Sequence, residues 1–201
     1  MSFKGPTLAQ VKKPDMREAI LEAAFRLFAQ QGYNQTKMSQ IAGEAGMTPG
    51  NLYRYFDSKL LLLYAIYTPW LRQKLDELSV SVQRCRTPRA RLNRLFTGLW
   101  QDIPLSDHSF ANTLMEALTA TPRDGGKMTD SLAQVEEFVR AMLEEYLPPD
   151  RLQIVSPELL VHVVWMAFDG FVINIRIGDR PNVAAIAGMM TDLLLGASES
   201  T

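Results

Sequence analysis

Apolar residues recur along almost the whole 201-residue chain with the 3.6-residue period of an α-helix, and this periodicity restricts the fold more than any other feature. Clear examples are the stripes from Ile20 to Phe28 and from Leu92 to Ile103. No segment shows the sustained two-residue alternation of a half-buried strand. Because 47% of the residues are hydrophobic, a chain of this length can bury a substantial core. The sequence therefore predicts an all-α protein.

Caps, prolines and glycines divide this helical pattern into nine segments. The first helix begins at a capping box formed by Asp15 and Glu18 and ends at Gly32. The other predicted helices cover about residues 38–45, 49–55, 58–84, 88–103, 106–120, 132–146, 156–178 and 182–196. We predict a two-domain architecture with a flexible basic arm at 1–14, a three-helix head at 15–60 and a helical body at 61–198.

Charge is divided unevenly between head and body, although the net formal charge is only −1. Residues 1–60 carry eight Lys/Arg and five Asp/Glu, whereas the remainder carries thirteen and seventeen. A basic head joined to an acidic body is expected when only the head meets an anionic partner. The single cysteine, Cys85, cannot form an intrachain disulfide framework or a cysteine zinc cluster, and it is typical of a reducing compartment such as the cytoplasm.

A short, broken segment, TKMSQIAGEAGMTPGNLYRYF at residues 36–56, lies between two long helical patterns. It predicts a helix of about two turns from Met38 to Ala45, a turn at Gly46, and a second short helix from Pro49 to Tyr55 capped by Thr48. Helices this short are stable only when they dock on neighbours. The pattern is that of a helix-turn-helix, whose second helix enters the major groove of DNA.

The second short helix has an inward and an outward face. Leu52 and Phe56 point inward at i and i+4. The residues left outside are Thr48, Gly50, Asn51, Tyr53 and Arg54. Their side chains suit hydrogen bonds to base edges and phosphates, and a glycine lets the backbone approach a phosphate closely. A hairpin held only by packing is the alternative, but it does not explain two aromatic residues and an arginine within three positions of the only basic region.

Residues 15–62 resemble the DNA-binding head of the TetR family of bacterial transcriptional regulators. The resemblance covers LFAQQGYNQTKMSQIA, the turn EAGMTPGNLYRYF and the following DSK, and the family's nine-helix plan matches residues 63–201 in layout only. It implies phosphate or backbone contacts from Thr36, Lys37, Tyr55 and Lys59. It also implies that the residues in or beside the major groove are Thr48, Pro49, Asn51, Tyr53 and Arg54. Leu60 departs from the family pattern, in which an acidic residue usually follows the lysine.

A recognition helix of about seven residues spans roughly 10 Å, which is enough for only a few base pairs. The usual solution is a homodimer that binds a palindromic operator on double-stranded DNA. The eighth and ninth helices are the most apolar, so we predict that they form the dimer interface through Val164, Phe168, Phe171, Ile175, Ile186, Met190 and Leu193. The alternative is that the eighth helix is simply the core of the monomer. It holds His162, Asp169 and Asn174, which argue against a membrane span.

Aromatic residues and methionines are frequent in the middle helices, where they could line a cavity for a small apolar effector. The predicted ligand-binding residues are Trp70, Phe96, Trp100, Phe110, Met115, Phe138, Met142, Trp165 and Met166, with His162 and Asp169 as polar groups. Ordinary core packing is the alternative for each of them. Together with the resemblance, these residues predict a ligand-responsive regulator, most simply a repressor that its effector releases from DNA.

An enzyme is the less favoured class. A di-iron bundle needs an E-x-x-H spacing, and Glu158 with His162 is one residue too long. Cys85 and His108 could pair as nucleophile and base, but no motif surrounds them. We therefore predict no catalytic residue, cofactor or metal. A helical small-molecule-binding protein without DNA affinity remains the second functional hypothesis.

Overall fold

The computed structural model of the protein describes residues 16–120 and 129–196, and every regular element in these two stretches is helical. The helices are α1 (Met16–Gln35), α2 (Met38–Glu44), α3 (Pro49–Tyr53), α4 (Lys59–Gln83), α5 (Pro88–Thr97), α6 (Ile103–Ser109), α7 (Ala111–Ala120), α8 (Thr129–Tyr146), α9 (Pro149–Leu152), α10 (Pro157–Ile177) and α11 (Val183–Leu195). The all-α prediction is confirmed. The predicted arm at 1–14 and the cap at Asp15 lie outside the described residues.

Most helix ends coincide with their predicted signals. The side chains of Thr48, Ser58, Thr87 and Ser156 each accept a hydrogen bond from the backbone N–H three residues further on. At Gly32 the backbone leaves the helical conformation with φ 76°, so the regular part of α1 ends where predicted.

The chain is divided more finely than the nine-helix prediction. A π-helical segment, Gly98–Asp102, joins α5 to α6, and the short α9 interrupts the segment predicted to be a loop. The predicted sixth helix also starts later, at Ala111, because residues 107–109 all have a positive φ between 48° and 61°. Contacts with α4 accompany this turn: Trp70 Nε1 donates to Asp107 Oδ2 at 2.6 Å, and Lys74 Nζ lies 3.1 Å from the same oxygen.

Buried apolar residues of the head and the body form one connected core. The long helix α4 begins in the head and packs against α1, α5, α7 and α8, while α1 also packs directly on α7. In the body, α10 packs against α6, α7 and α8, and α11 packs against α5. The head is therefore joined to the body through α4 and through the contacts of α1 with α6 and α7.

Candidate nucleic-acid interface and effector cleft

The helix-turn-helix is built by α2 and α3, which pack on each other, and by α1, which supports α2. Ile41, Ala42 and Leu52 are completely buried where these helices meet. Gly46 forms the turn with φ 72°, and the following Met47 N–H donates to the Ala42 carbonyl at 2.9 Å. The predicted helix-turn-helix is confirmed, and its apolar residues are on the inner face that the spacing indicated.

The outer face of α3 is open. The exposed residues are Thr48, Pro49, Gly50, Asn51, Tyr53, Arg54 and Tyr55. A Cβ built on Gly50 meets nothing within 4 Å, so the backbone can be approached closely there. Because Leu52 anchors the helix from behind, the polar groups project from a fixed platform. This arrangement can hydrogen-bond to base edges and phosphates in a groove.

The structure places Lys37 and Thr36, both predicted to contact phosphate, in two different environments. Lys37 is exposed, and its backbone N–H donates to Gln40 Oε1 at 2.8 Å at the start of α2. Thr36 is buried, and its hydroxyl donates to the Gly32 carbonyl at 2.7 Å. The Thr36 side chain thus folds back on the end of α1, and its predicted contact with phosphate stays a prediction.

Lys59 is also turned toward the protein. Its ammonium donates to the carbonyls of Tyr33 at 2.7 Å and Thr36 at 2.9 Å, and it lies 4.0 Å from the centre of the Tyr33 ring. Burial lowers the pKa of Lys59, and the negative charge of Glu116 opposes this effect. In this conformation Lys59 joins the start of α4 to the end of α1, instead of pointing outward to bind the DNA backbone.

A cleft of about 660 Å³ lies between α4 and α8 in the body. Leu71, Leu75 and Val135 form an apolar floor that is almost completely buried. The remaining lining residues are Thr68, Arg72, Asp76, Ala133, Glu137 and Phe138. A volume of this size and an apolar floor with a few charged groups are typical of small-molecule sites.

Phe138 is the predicted ligand-binding residue that lines this cleft. Phe96, Trp100 and Phe110 instead lie in closed packing, and Trp70 and Met142 are also buried. Met115 and Trp165 are half-buried, and Met166 is exposed. For these aromatic residues the structure matches the alternative of core packing, because ring stacking fills the space between the helices.

The two polar residues predicted to orient a ligand also lie outside the cleft lining. His162 is exposed on α10, with its Nδ1 3.4 Å from Glu136 Oε1. Asp169 is half-buried, one of its carboxylate oxygens has no hydrogen-bond partner, and burial raises its pKa to about 6. A buried hydroxyl without a partner also occurs at Tyr67, whose pKa is raised by burial and by the Asp169 charge.

Alanine substitutions at Trp100 and Phe138 test whether Trp100 belongs to the buried core and Phe138 to the cleft lining, because the two should lower the stability by different amounts. Replacing Trp100 by alanine is expected to lower the free energy of unfolding by about 3–5 kcal/mol. Its ring is 1% exposed and stacks on Phe96 and Phe171, and its Nε1 donates to the Val164 carbonyl at 3.1 Å. Phe138→Ala removes a half-buried ring, so it is expected to lower the free energy of unfolding by about 1 kcal/mol. Urea denaturation measures both values, and equal losses would contradict these two placements.

The apolar surface of α10 is not the face that we predicted for the dimer. Val164, Phe168 and Phe171 are buried within the monomer. Ile175, Ile186 and Met190 are half-buried, and only Leu193 of the predicted set is exposed. The exposed apolar residues of α10 and α11 are Leu159, Val163, Met166, Ile173, Ile177, Met189 and Leu193. Three of the predicted interface residues are thus buried in the monomer, and because α10 is apolar on both faces its periodicity did not separate them from the exposed ones.

The five of these residues on α10 form an outer stripe, since Leu159, Val163, Met166, Ile173 and Ile177 are spaced in steps of three, four or seven. Gly170 occupies the remaining position of this spacing, and a Cβ there would meet nothing within 4 Å. By length and composition α10 could also cross a membrane. However, its inner face packs on three helices of the body, which is how the core helix of a folded domain behaves.

The comparison with a family model covers the segment that contains the helix-turn-helix. Residues 20–66 match the family described as bacterial regulatory proteins, tetR family. The transcriptional regulator RutR of Escherichia coli K12 is 28% identical over 178 residues, which cover 86% of this chain and 78% of RutR. The matched segment is a TetR-family DNA-binding head. The protein is accordingly a DNA-binding transcriptional regulator with a helix-turn-helix head.

Two further comparisons extend beyond this head into the body. The transcriptional regulator BetI of Brucella anthropi is 26% identical over 186 residues, or 90% of this chain and 93% of BetI. The structure of FadR from Bacillus subtilis in complex with stearoyl-CoA superposes with a TM-score of 0.66 at 18% identity, covering 90% of this chain and 98% of FadR. At that identity the FadR comparison shows a shared fold only.

Proposed function

We propose that this regulator binds a two-fold symmetric DNA operator as a homodimer in the cytoplasm, and that a small, largely apolar effector releases it, so that it acts as a repressor. The observation that carries the proposal is the shape of α3. Five residues of α-helix span only about 7.5 Å, so one copy reads too few base pairs to select a single site in a genome. Two copies related by a two-fold axis double the site that is read.

The outer stripe supports the dimer. Monomeric proteins rarely expose a continuous apolar stripe along a helix of this length, and such surfaces usually mark an interface. Pairing α10 and α11 with the same helices of a second copy forms a four-helix bundle that removes the stripe from water. Gly170 at the centre of the stripe lets two α10 helices approach closely.

The cleft between α4 and α8 supports the effector. Its apolar floor suits a hydrocarbon chain or ring, and Arg72 at the edge offers a partner for an anionic group. FadR, which shares the fold, holds stearoyl-CoA in its solved structure. Leu71 and Leu75 belong to α4, the helix that begins in the head, so a ligand that moves α4 also moves the recognition helix.

Selection of bound sequences from a random duplex library tests the DNA part of this proposal. We expect enrichment of two inverted half-sites and an affinity that falls steeply as salt is raised, because phosphate contacts release counterions. Enrichment of single half-sites would contradict the dimer, and no enrichment at any salt concentration would contradict operator binding.

Titration with an apolar probe such as palmitate, with and without the selected operator, tests release. Linkage requires the probe to weaken operator binding by the same factor by which the operator weakens probe binding, about 5–150-fold for a typical coupling. Phe138→Ala is expected to reduce probe binding and to leave the operator affinity of the free protein unchanged. Identical probe affinity in both titrations would show that the probe does not act as an inducer.

A further inference from the structure

A carboxylate from the body reaches into the end of the head. Glu116 lies on α7 and is only 9% exposed. Its Oε2 accepts the backbone N–H of Asn34 at 3.1 Å, and its Oε1 accepts a hydrogen bond from Arg176 Nη1 on α10. Glu116 thus joins three parts of the molecule that are far apart in sequence: the last turn of α1, the helix α7, and the helix that carries the outer stripe.

Gly32 is what lets the chain pass so close to this carboxylate. A Cβ on Gly32 would lie 2.7 Å from Glu116 Oε2, and the backbone there has a φ of 76°, which favours glycine. Beyond Gly32, the Thr36 hydroxyl donates to the Gly32 carbonyl, and Lys59 donates to the carbonyls of Tyr33 and Thr36. The five residues between Gly32 and the start of α2 are therefore held from the head by Lys59 and from the body by Glu116.

The position of these residues determines the position of α3. The N–H of Asn34 is four residues before the first residue of α2, α2 packs on α3, and Leu52 anchors the recognition helix to the same core. Hydrogen bonds to an ionised carboxylate are shorter and stronger than neutral ones, and a nearly buried carboxylate that loses its partners is left poorly solvated. These hydrogen bonds are costly to break, so a displacement of Glu116 or Arg176 also displaces the end of α1.

We propose that Glu116 is a positioning residue for DNA binding, which fixes the head on the body and so sets the separation and angle of the two recognition helices. This inference rests on the proposed dimer and operator. Glu116 does not contact DNA in this proposal. Because Arg176 lies on α10, the ion pair also ties the head to the helix whose outer face pairs the two copies, and a rigid connection of this kind makes the dimer selective for one half-site spacing.

Glu116→Gln is the direct test, because it keeps the size of the side chain and removes its charge. The matched control is Glu144→Gln, which removes an exposed ion pair with Arg140 on α8, away from the head. Arg176→Gln is a second variant at a half-exposed position, where loss of folding is not expected. Each protein is measured on the selected operator and on operators with one base pair added or removed between the half-sites.

We expect Glu116→Gln to bind the preferred spacing about tenfold more weakly and to lose most of its discrimination between spacings. Arg176→Gln should show the same change to a smaller extent, and Glu144→Gln should behave as the wild type. A role in stability alone would lower the melting temperature but keep the spacing preference. Unchanged affinity and unchanged spacing preference in Glu116→Gln would overturn the proposal.

A measurement without DNA separates this inference from the proposed operator. Spin labels at Ser39→Cys on α2 and Gln153→Cys after α9, in a Cys85→Ser background and diluted with unlabelled protein, report the distance from head to body within one chain. Glu116→Gln should broaden the distance distribution, whereas Glu144→Gln should not. If the wild type selects no paired half-sites, the proposed operator is contradicted and the positioning role is still tested by the distances. If Glu116→Gln does not broaden the distance distribution, the positioning role is overturned whether or not the operator exists.

Discussion

Replacing Met166 by lysine is expected to convert the protein from a dimer into a monomer and to abolish tight operator binding. Met166 is 72% exposed in the middle of the outer stripe, so the substitution leaves the fold of the monomer intact. Across a two-fold axis the two lysines would lie close together in an apolar interface, where unpaired charges cost several kcal/mol. A rise of about a thousandfold in the dimer dissociation constant corresponds to about 4 kcal/mol. Sedimentation equilibrium measures this directly.

The control for Met166→Lys is Gln73→Lys, which places the same charge on the exposed surface of α4, away from the stripe. Gln73 Nε2 already donates to Glu77 Oε1 at 2.9 Å, so the added charge has a partner and the dimer should persist. Val164, which belongs to the predicted interface, does not test the dimer, because it is 1% exposed and a charge there would unfold the monomer. A Met166→Lys protein that remains fully dimeric would place the interface elsewhere.

The helix-turn-helix could be predicted from the sequence because its signals are local. Thr48 caps α3, Gly46 has the positive φ that the turn requires, and Leu52 lies on the inner face. Each of these effects operates within a few residues. The break at residues 107–109 could not be predicted in this way. It contains no glycine or proline, and the groups that contact Asp107 are Trp70 and Lys74, more than thirty residues earlier in the chain.

The proposed dimer face shows a different limit of sequence periodicity. α10 carries apolar residues on all sides, so the 3.6-residue period cannot distinguish the face that packs on the body from the face that is left outside. Val163 and Val164 are neighbours of the same type, yet one is exposed and the other is buried. Only the packing of α10 on α6, α7 and α8 decides between them.

Glu116 was missed by the sequence reasoning for a related reason. A single glutamate in an apolar helix has no pattern around it, and its partners are 82 residues earlier at Asn34 and 60 residues later at Arg176. Gly32 was recognised as a helix end, but the close approach of a carboxylate to it depends on the packing of α1 on α7. A residue that joins distant elements is visible only once the fold is known.

Replacing Tyr53 and Arg54 together by alanine is expected to weaken operator binding by at least about a hundredfold while leaving the fold unchanged. Both side chains are exposed on the outer face of α3, and the buried Leu52 and the Thr48 cap, which hold the helix, are untouched. A good contact to a base edge contributes about 1–3 kcal/mol, and each is made twice in a dimer. Fluorescence anisotropy with the selected operator measures the loss, and urea denaturation should show a change within about 0.5 kcal/mol.

The salt dependence then assigns the role of Arg54. If Arg54 contacts phosphate, Arg54→Ala lowers the salt slope by about one for each protomer and weakens specific and random duplexes alike. If it reads a base, the slope is nearly unchanged and only the selected operator loses affinity, because discrimination at that base pair disappears. Arg84→Ala is the matched control, since Arg84 is an exposed arginine at the end of α4 in the body. A double variant that binds the operator as tightly as Arg84→Ala would show that α3 does not read DNA, and the helix-turn-helix would then need another role.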